Sequence, residues 1–228
     1  PEMREKVKAL QEKQADTMGV EGNWLVLADK SGSMSASIDA GRHVAATLAR
    51  VAKGRVSLVF FDTQAGVIDA TGKTLEQLTE ATKRISAGGG TSIGVGLDWA
   101  LNTNQDCDGI AIVSDGAEHS PPFFHATYQK YCQKFGKDVP VYLYLLSGEG
   151  NSLTRTCASV GISLTEFDLC GKTLDHYSLP NIIQTMRANR YSLADEIMAT
   201  PLLSLAKVLK EKEHDREIEV VQPDEVFA

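Results

Sequence analysis

Trp24-Leu25-Val26-Leu27-Ala28-Asp29-Lys30-Ser31-Gly32-Ser33 joins an apolar run to a loop of oxygen donors. The run Trp24–Ala28 has the length and the unbroken hydrophobicity of a strand buried on both faces. Asp29, Ser31 and Ser33 follow at alternate positions, so one strand end receives a carboxylate and two hydroxyls. These are hard ligands of the kind Mg²⁺ takes in near-octahedral geometry. Two later stretches extend the pattern. Gly88-Gly89-Gly90-Thr91 sets a hydroxyl behind glycines at the start of a helix, and Val113-Ser114-Asp115-Gly116 ends a second apolar run on a second carboxylate.

Outward from this loop the chain alternates strand and helix. Strand-like 23–28 is followed by helix-like 36–52, with Ile38, Val44, Ala45, Leu48 and Val51 on one face, and by strand-like Arg55–Phe61. Asp62-Thr63-Gln64-Ala65-Gly66 is turn chemistry leading into Val67-Ile68, which predicts a hairpin with a short edge strand. The spacing then predicts a helix over 74–84 capped by Thr74, a helix over Ile93–Leu101 and a strand over Gly109–Val113. A helix over Phe123–Phe135, a strand over Val139–Leu146, a helix over Leu153–Val160, a strand over Ile162–Phe167 and a helix over Pro180–Met186 complete the series. Such alternation specifies an α/β fold, a doubly wound, mostly parallel sheet with helices on both faces.

Three segments result: an N-terminal amphipathic helix or linker over 1–20, the sheet domain over 21–186, and a C-terminal helical extension with an acidic tail over 187–228. In the tail, Glu211, Glu213, Asp215, Glu217, Glu219, Asp224 and Glu225 face only Lys212 and Arg216. That stretch holds most of the formal charge of −7 carried by the 228 residues. With no cluster of Lys and Arg, direct nucleic-acid binding is not expected. The longest apolar runs, such as Val141–Leu146, are too short to span a bilayer, and no membrane association is expected. Cys107, Cys132, Cys157 and Cys170 are widely spaced with no metal-binding or redox pairing pattern, which reads as free thiols in a reducing, cytoplasmic setting.

In doubly wound sheets ligands bind beyond the carboxyl ends of the strands, where strand order reverses. If strand 23–28 lies beside strand 109–113, the loops carrying Asp29 and Asp115 open at that point. Thr91 arrives on the glycine loop, where the backbone can turn tightly. Two carboxylates balance a 2+ ion, while Ser31, Ser33 and Thr91 add neutral oxygens and leave room for water or an incoming carboxylate. Mn²⁺ and Ca²⁺ accept the same oxygens.

Other chemistries fit less well. A phosphotransferase with Asp29 as nucleophile needs a second acid two residues later, where Ser31 stands. Gly72-Lys73-Thr74 and Gly171-Lys172-Thr173 end like phosphate-binding loops, but the earlier glycine is Val67 in one and Glu166 in the other. No Gly-x-Ser-x-Gly elbow supports serine hydrolysis. His119 reads as a polar loop residue, Glu118 as an exposed loop acid, and Lys30 as a side chain extending into solvent near the ligand face.

Asp29-x-Ser31-x-Ser33, Thr91 behind the glycines and Asp115 in Ser-Asp-Gly resemble the metal-ion-dependent adhesion site (MIDAS) of the von Willebrand factor A domain. Within that superfamily, Ser86–Thr91, Trp99-Ala100, Asn102-Thr103-Asn104 and Glu166-Phe167-Asp168 are similar to the A domain of Ro-type (TROVE) ribonucleoproteins. The helical-repeat RNA-binding domain of that group has no counterpart in this sequence, so RNA binding does not carry over. The resemblance implies a six-stranded sheet of order 3-2-1-4-5-6 with one antiparallel edge strand. It implies a metal site at Asp29, Ser31, Ser33, Thr91 and Asp115 holding Mg²⁺, with Mn²⁺ or Ca²⁺ as alternatives. It also implies a non-enzymatic module that takes an acidic residue from a partner protein. The alternative is a structural or regulatory subunit of a larger complex, a Ro-type ribonucleoprotein among the candidates, in which the metal only stabilises the fold.

Overall fold

In the computed structural model, which describes residues 20–147 and 151–169, strand β1 (Trp24–Asp29) occupies the middle of a six-stranded sheet. It pairs in parallel with β2 (Val56–Phe61) on one side and β4 (Gly109–Ser114) on the other. β3 (Ala65–Asp69) closes the β2 edge as the antiparallel arm of a hairpin. β5 (Val141–Leu145) and β6 (Leu164–Asp168) extend the other side in parallel, giving the order 3-2-1-4-5-6.

The two-residue period of β1 divides the core. Trp24, Val26 and Ala28 face α1 (Ser35–Val51) and α2 (Leu75–Ala81), packing with Val44, Leu48, Phe60, Val113 and Leu78. Leu25 and Leu27 point the other way, into a second cluster with Leu97 of α3 (Gly94–Asn102), Phe124 and Tyr131 of α4 (Phe124–Phe135) and Leu153 of α5 (Leu153–Ser159). Both faces of the sheet are therefore covered, which is why β1 and β4 are buried along their whole length. α1 lies close on β1: a Cβ at Gly41 would come within 2.4 Å of the Ala28 Cβ.

Several ends are shorter than the sequence pattern predicts. α2 stops at Ala81, and the chain then tightens into a turn: the Thr82 carbonyl accepts from the Ile85 N–H at 2.8 Å and also from the buried Arg42 of α1 at 2.9 Å, while the Thr82 hydroxyl accepts from Arg42 at 2.6 Å. β5 begins after Pro140, whose nitrogen carries no hydrogen to donate. β6 begins at Leu164 because Gly161 and Ile162 close α5, with Ile162 donating to the Cys157 carbonyl at 2.9 Å. Apart from Val20, which bridges to Ala52, the N-terminal segment 1–20 lies outside the described residues, as do the helices expected over Pro180–Met186 and 187–228. Cys107, Cys132 and Cys157 are free thiols.

Candidate functional site

The register pairs Ala28 with Val113, so Asp29 and Ser114 leave the sheet side by side. Asp29 is wholly buried. Its Oδ1 accepts from the Ser31 backbone at 2.8 Å, and its Oδ2 accepts from the Ser114 hydroxyl at 2.7 Å. The Ser114 oxygen in turn accepts from the Gly116 backbone at 3.1 Å and stands 3.4 Å from Asp115 Oδ1, which takes the Ala117 N–H at 2.9 Å. Burial raises the Asp29 carboxyl above its ordinary range. Hydrogen bonds from Ser31 and Ser114 oppose the rise, and the neighbouring charge of Asp115 adds to it.

The glycine loop packs between these two turns. Gly88 donates to the Lys30 carbonyl at 2.7 Å and Gly32 to the Gly89 carbonyl at 3.4 Å. The Thr91 carbonyl accepts from His119 at 3.1 Å and Ser120 at 3.0 Å, tying the glycine loop to the loop after β4. The three loops predicted to converge do so. Ser31 and Thr91 are buried with Asp29, Asp115 is half-buried, and Ser33 is exposed.

Lys30 does not extend into solvent. Its ammonium pairs with the Asp62 carboxylate at the end of β2, and both side chains are more than four-fifths shielded. Burial alone would raise Asp62. The hydrogen bond from Lys30, the N–H of Gln64 and the Lys30 charge outweigh it and leave the carboxyl below its usual range. Gly89 lies over this pair at φ +82°, where a Cβ would fall 2.9 Å from Asp62 Oδ2. Only glycine meets both conditions. The cation inside the motif therefore braces the first loop against the hairpin and supports the glycine loop from below.

Glu118 is likewise not a surface acid. Its Oε1 accepts the backbone N–H of Gly94 and of Phe124, each at 3.0 Å, and its Oε2 also lies 3.0 Å from the Phe124 nitrogen. One carboxylate thus caps the first turns of α3 and α4. Burial pushes its carboxyl upward against those same N–H donors. The sequence held a signal for this role: neither Ile93 nor Phe123, at the two N-cap positions, has a side chain that can cap.

Residues 19–125 match a family profile described as "VWA domain containing CoxE-like protein". The matched region is of the von Willebrand factor A type. Its fold is shared with proximal thread matrix protein 1 from the mussel byssus, at TM-score 0.52 and 16% identity over 73% of this chain and 47% of that one. The A domain is also similar to the Ro (RSR) protein of Deinococcus radiodurans, with TM-score 0.48 and 16% identity over 72% of this chain and 33% of that one. A von Willebrand factor type A protein from Catenulispora acidiphila gives TM-score 0.49 and 18% identity over 74% and 42%. The chain thus spans about a third of the length of the Ro protein and under half of the other two. No curated protein sequence matches it. An A domain points to a protein-interaction module. Among the described residues, no helix is long and apolar enough to cross a membrane.

The residues at the loops suit a small, hard dication. The donors are carboxylates and hydroxyls, with no thiol or imidazole in the set. Asp29 is buried beside a like charge, an arrangement that a cation relieves. Among the described residues no group of three or more His, Cys, Asp or Glu could hold a metal. Any centre at these loops would have to be built from two acids plus hydroxyls.

Proposed function

We propose that Asp29, Ser31, Ser33, Thr91 and Asp115 hold one divalent cation, Mg²⁺ in the first instance with Mn²⁺ or Ca²⁺ as alternatives, and that this centre captures an acidic side chain of a partner protein. The burial of Asp29 beside Asp115, with its carboxyl raised, carries the proposal. Folding places two acids where they repel each other, and a bound cation offsets the cost. When bound, the metal supplies an electrophilic position that a carboxylate can fill in place of water. Asp29 and Asp115 balance the charge, and Ser31, Ser33 and Thr91 contribute neutral oxygens.

The domain on this reading binds rather than catalyses. The position where a phosphotransferase holds its proton donor is a serine, Ser31. The partner is a protein rather than nucleic acid or a membrane, and the free thiols support a cytoplasmic setting.

Calorimetric titration of Mg²⁺ into the full chain and into Asp29→Ala tests the cation. Saturable binding is expected in the first and its loss in the second, and equal affinity in both sinks the assignment. Captured proteins should leave the immobilised wild-type chain on chelation. Proteins retained equally with and without chelator would mean that the centre does not hold the partner.

A further inference from the structure

Both helices that start at the site lack a cap of their own, since neither Ile93 nor Phe123 makes a side-chain cap bond. Separate Ser or Asp residues at those two positions would be the ordinary remedy. This chain instead uses one acid. Glu118 stands three residues after Asp115, and Gly94, whose N–H it takes, stands three residues after Thr91. The first turns of the two helices are in backbone contact. A Cβ at Gly94 would lie 2.3 Å from the Pro122 carbonyl oxygen, which also accepts from the Ser92 hydroxyl at 2.9 Å. The Glu118 backbone N–H reaches towards the Ser152 hydroxyl at 3.4 Å, so the residue before α5 meets the same junction.

We infer that Glu118 is the positioning residue of the cation centre: its carboxylate ties the starts of α3 and α4 into one body and so fixes the Thr91 loop at its spacing from the Asp115 loop. The inference rests on the cation reading above. A centre whose donors are spaced beforehand spends less of its binding free energy on ordering them. Groups that orient metal-binding residues without touching the metal affect affinity strongly when removed.

Mg²⁺ titration of the full-length wild type, Glu118→Ala, Glu118→Gln and Thr74→Ala provides the test. Thr74 caps α2 through its bonds with Gln77, away from the site, so its loss lowers stability without touching the loops. Glu118→Ala should weaken Mg²⁺ roughly tenfold, and Glu118→Gln, which keeps one carbonyl acceptor, by less. Thr74→Ala should bind like the wild type. If Glu118→Ala does not fold, Glu118→Gln carries the comparison. Hydrogen exchange on the metal-free proteins supplies a readout independent of the ion. The amides of His119 and Ser120, both bonded to the Thr91 carbonyl, should exchange faster in Glu118→Gln than in Thr74→Ala. Wild-type Mg²⁺ affinity in the folded Glu118 variants overturns the inference. Should the wild-type chain itself fail to take up Mg²⁺, the cation reading falls on its own, and unchanged exchange at His119 and Ser120 then overturns the brace as well.

Discussion

The Ser114 hydroxyl donates to Asp29 Oδ2 at 2.7 Å, bridging the ends of the two central strands. Through this bond the position of one carboxylate depends on the turn that carries the other, because the same oxygen accepts from Gly116 at the head of the Asp115 loop. Ser114→Ala leaves the strand pairing intact and removes the bridge. A hydrogen bond to a charged, buried group contributes about 1.5–3 kcal/mol, so urea denaturation of the metal-free protein at neutral pH should show a loss in that range. The Mg²⁺ dissociation constant should rise roughly tenfold, as for other groups that orient metal ligands. A variant with wild-type stability and affinity would show that the bridge orients nothing.

The fold was legible because β1 and β4 announce themselves. Each is a short apolar run bounded by turn residues, and each ends on an acid at the one place where an α/β sheet opens to ligand. The candidate ligands needed only local spacing, and the loops carrying them converge as the strand order requires. What escaped were contacts that depend on register or on backbone groups. Lys30 meets Asp62 because β1 and β2 pair with Asp29 opposite Phe61, a relation between residues far apart in the chain. Glu118 is fixed by amide hydrogens of two helix starts; the non-capping Ile93 and Phe123 signal that an outside acceptor is needed, but not which residue supplies it. Helix and strand ends shifted for similar reasons, as when α2 gives way to a tight turn in which Ile85 and Arg42 of α1 share the Thr82 carbonyl.

The Lys30–Asp62 pair makes a distinct prediction. With 18% and 16% of their side chains exposed, the two charges are too shielded for either to be left alone cheaply. Asp62→Asn should therefore destabilise the domain by about 1–3 kcal/mol, the usual cost of an unpaired group. Adding Lys30→Met should recover part of that loss. A double-mutant cycle by chemical denaturation checks it: additive single effects would mean that the two charges do not interact.

Gly89 supports the same pair from above. Substitution by alanine forces φ +82° on a residue with a Cβ and drives that Cβ towards Asp62 Oδ2. The expected cost is about 1–3 kcal/mol, the range for a non-glycine residue held in a left-handed conformation. Gly88→Ala is the matched control, since its Cβ would meet nothing within 4 Å. Thermal melts should rank the wild type close to Gly88→Ala and well above Gly89→Ala. Equal melts for the two alanine variants would remove the strain account of the glycine loop.

The raised Asp29 carboxyl makes stability depend on pH in a direction that the cation should reverse. Unfolded, an aspartate titrates near the ordinary value of 3.8, whereas folded Asp29 holds its proton to higher pH. The folded state thus binds more protons between those two values, and stability falls as pH rises through that window. Asp62 and Asp69 shift the opposite way and act in the opposite sense, so the Asp29 contribution must be read as a difference. Metal-free wild type compared with Asp29→Asn should lose relative stability as pH rises past 3.8, levelling once folded Asp29 is ionised. With saturating Mg²⁺ the order should reverse above the window, because the ion binds the deprotonated carboxylate and stabilises only the wild type. Urea denaturation of both proteins across acidic and neutral pH, with and without Mg²⁺, measures the two curves. Parallel curves for the two metal-free proteins would mean that burial does not raise Asp29, and an Mg²⁺ effect of equal size in both would place the ion elsewhere.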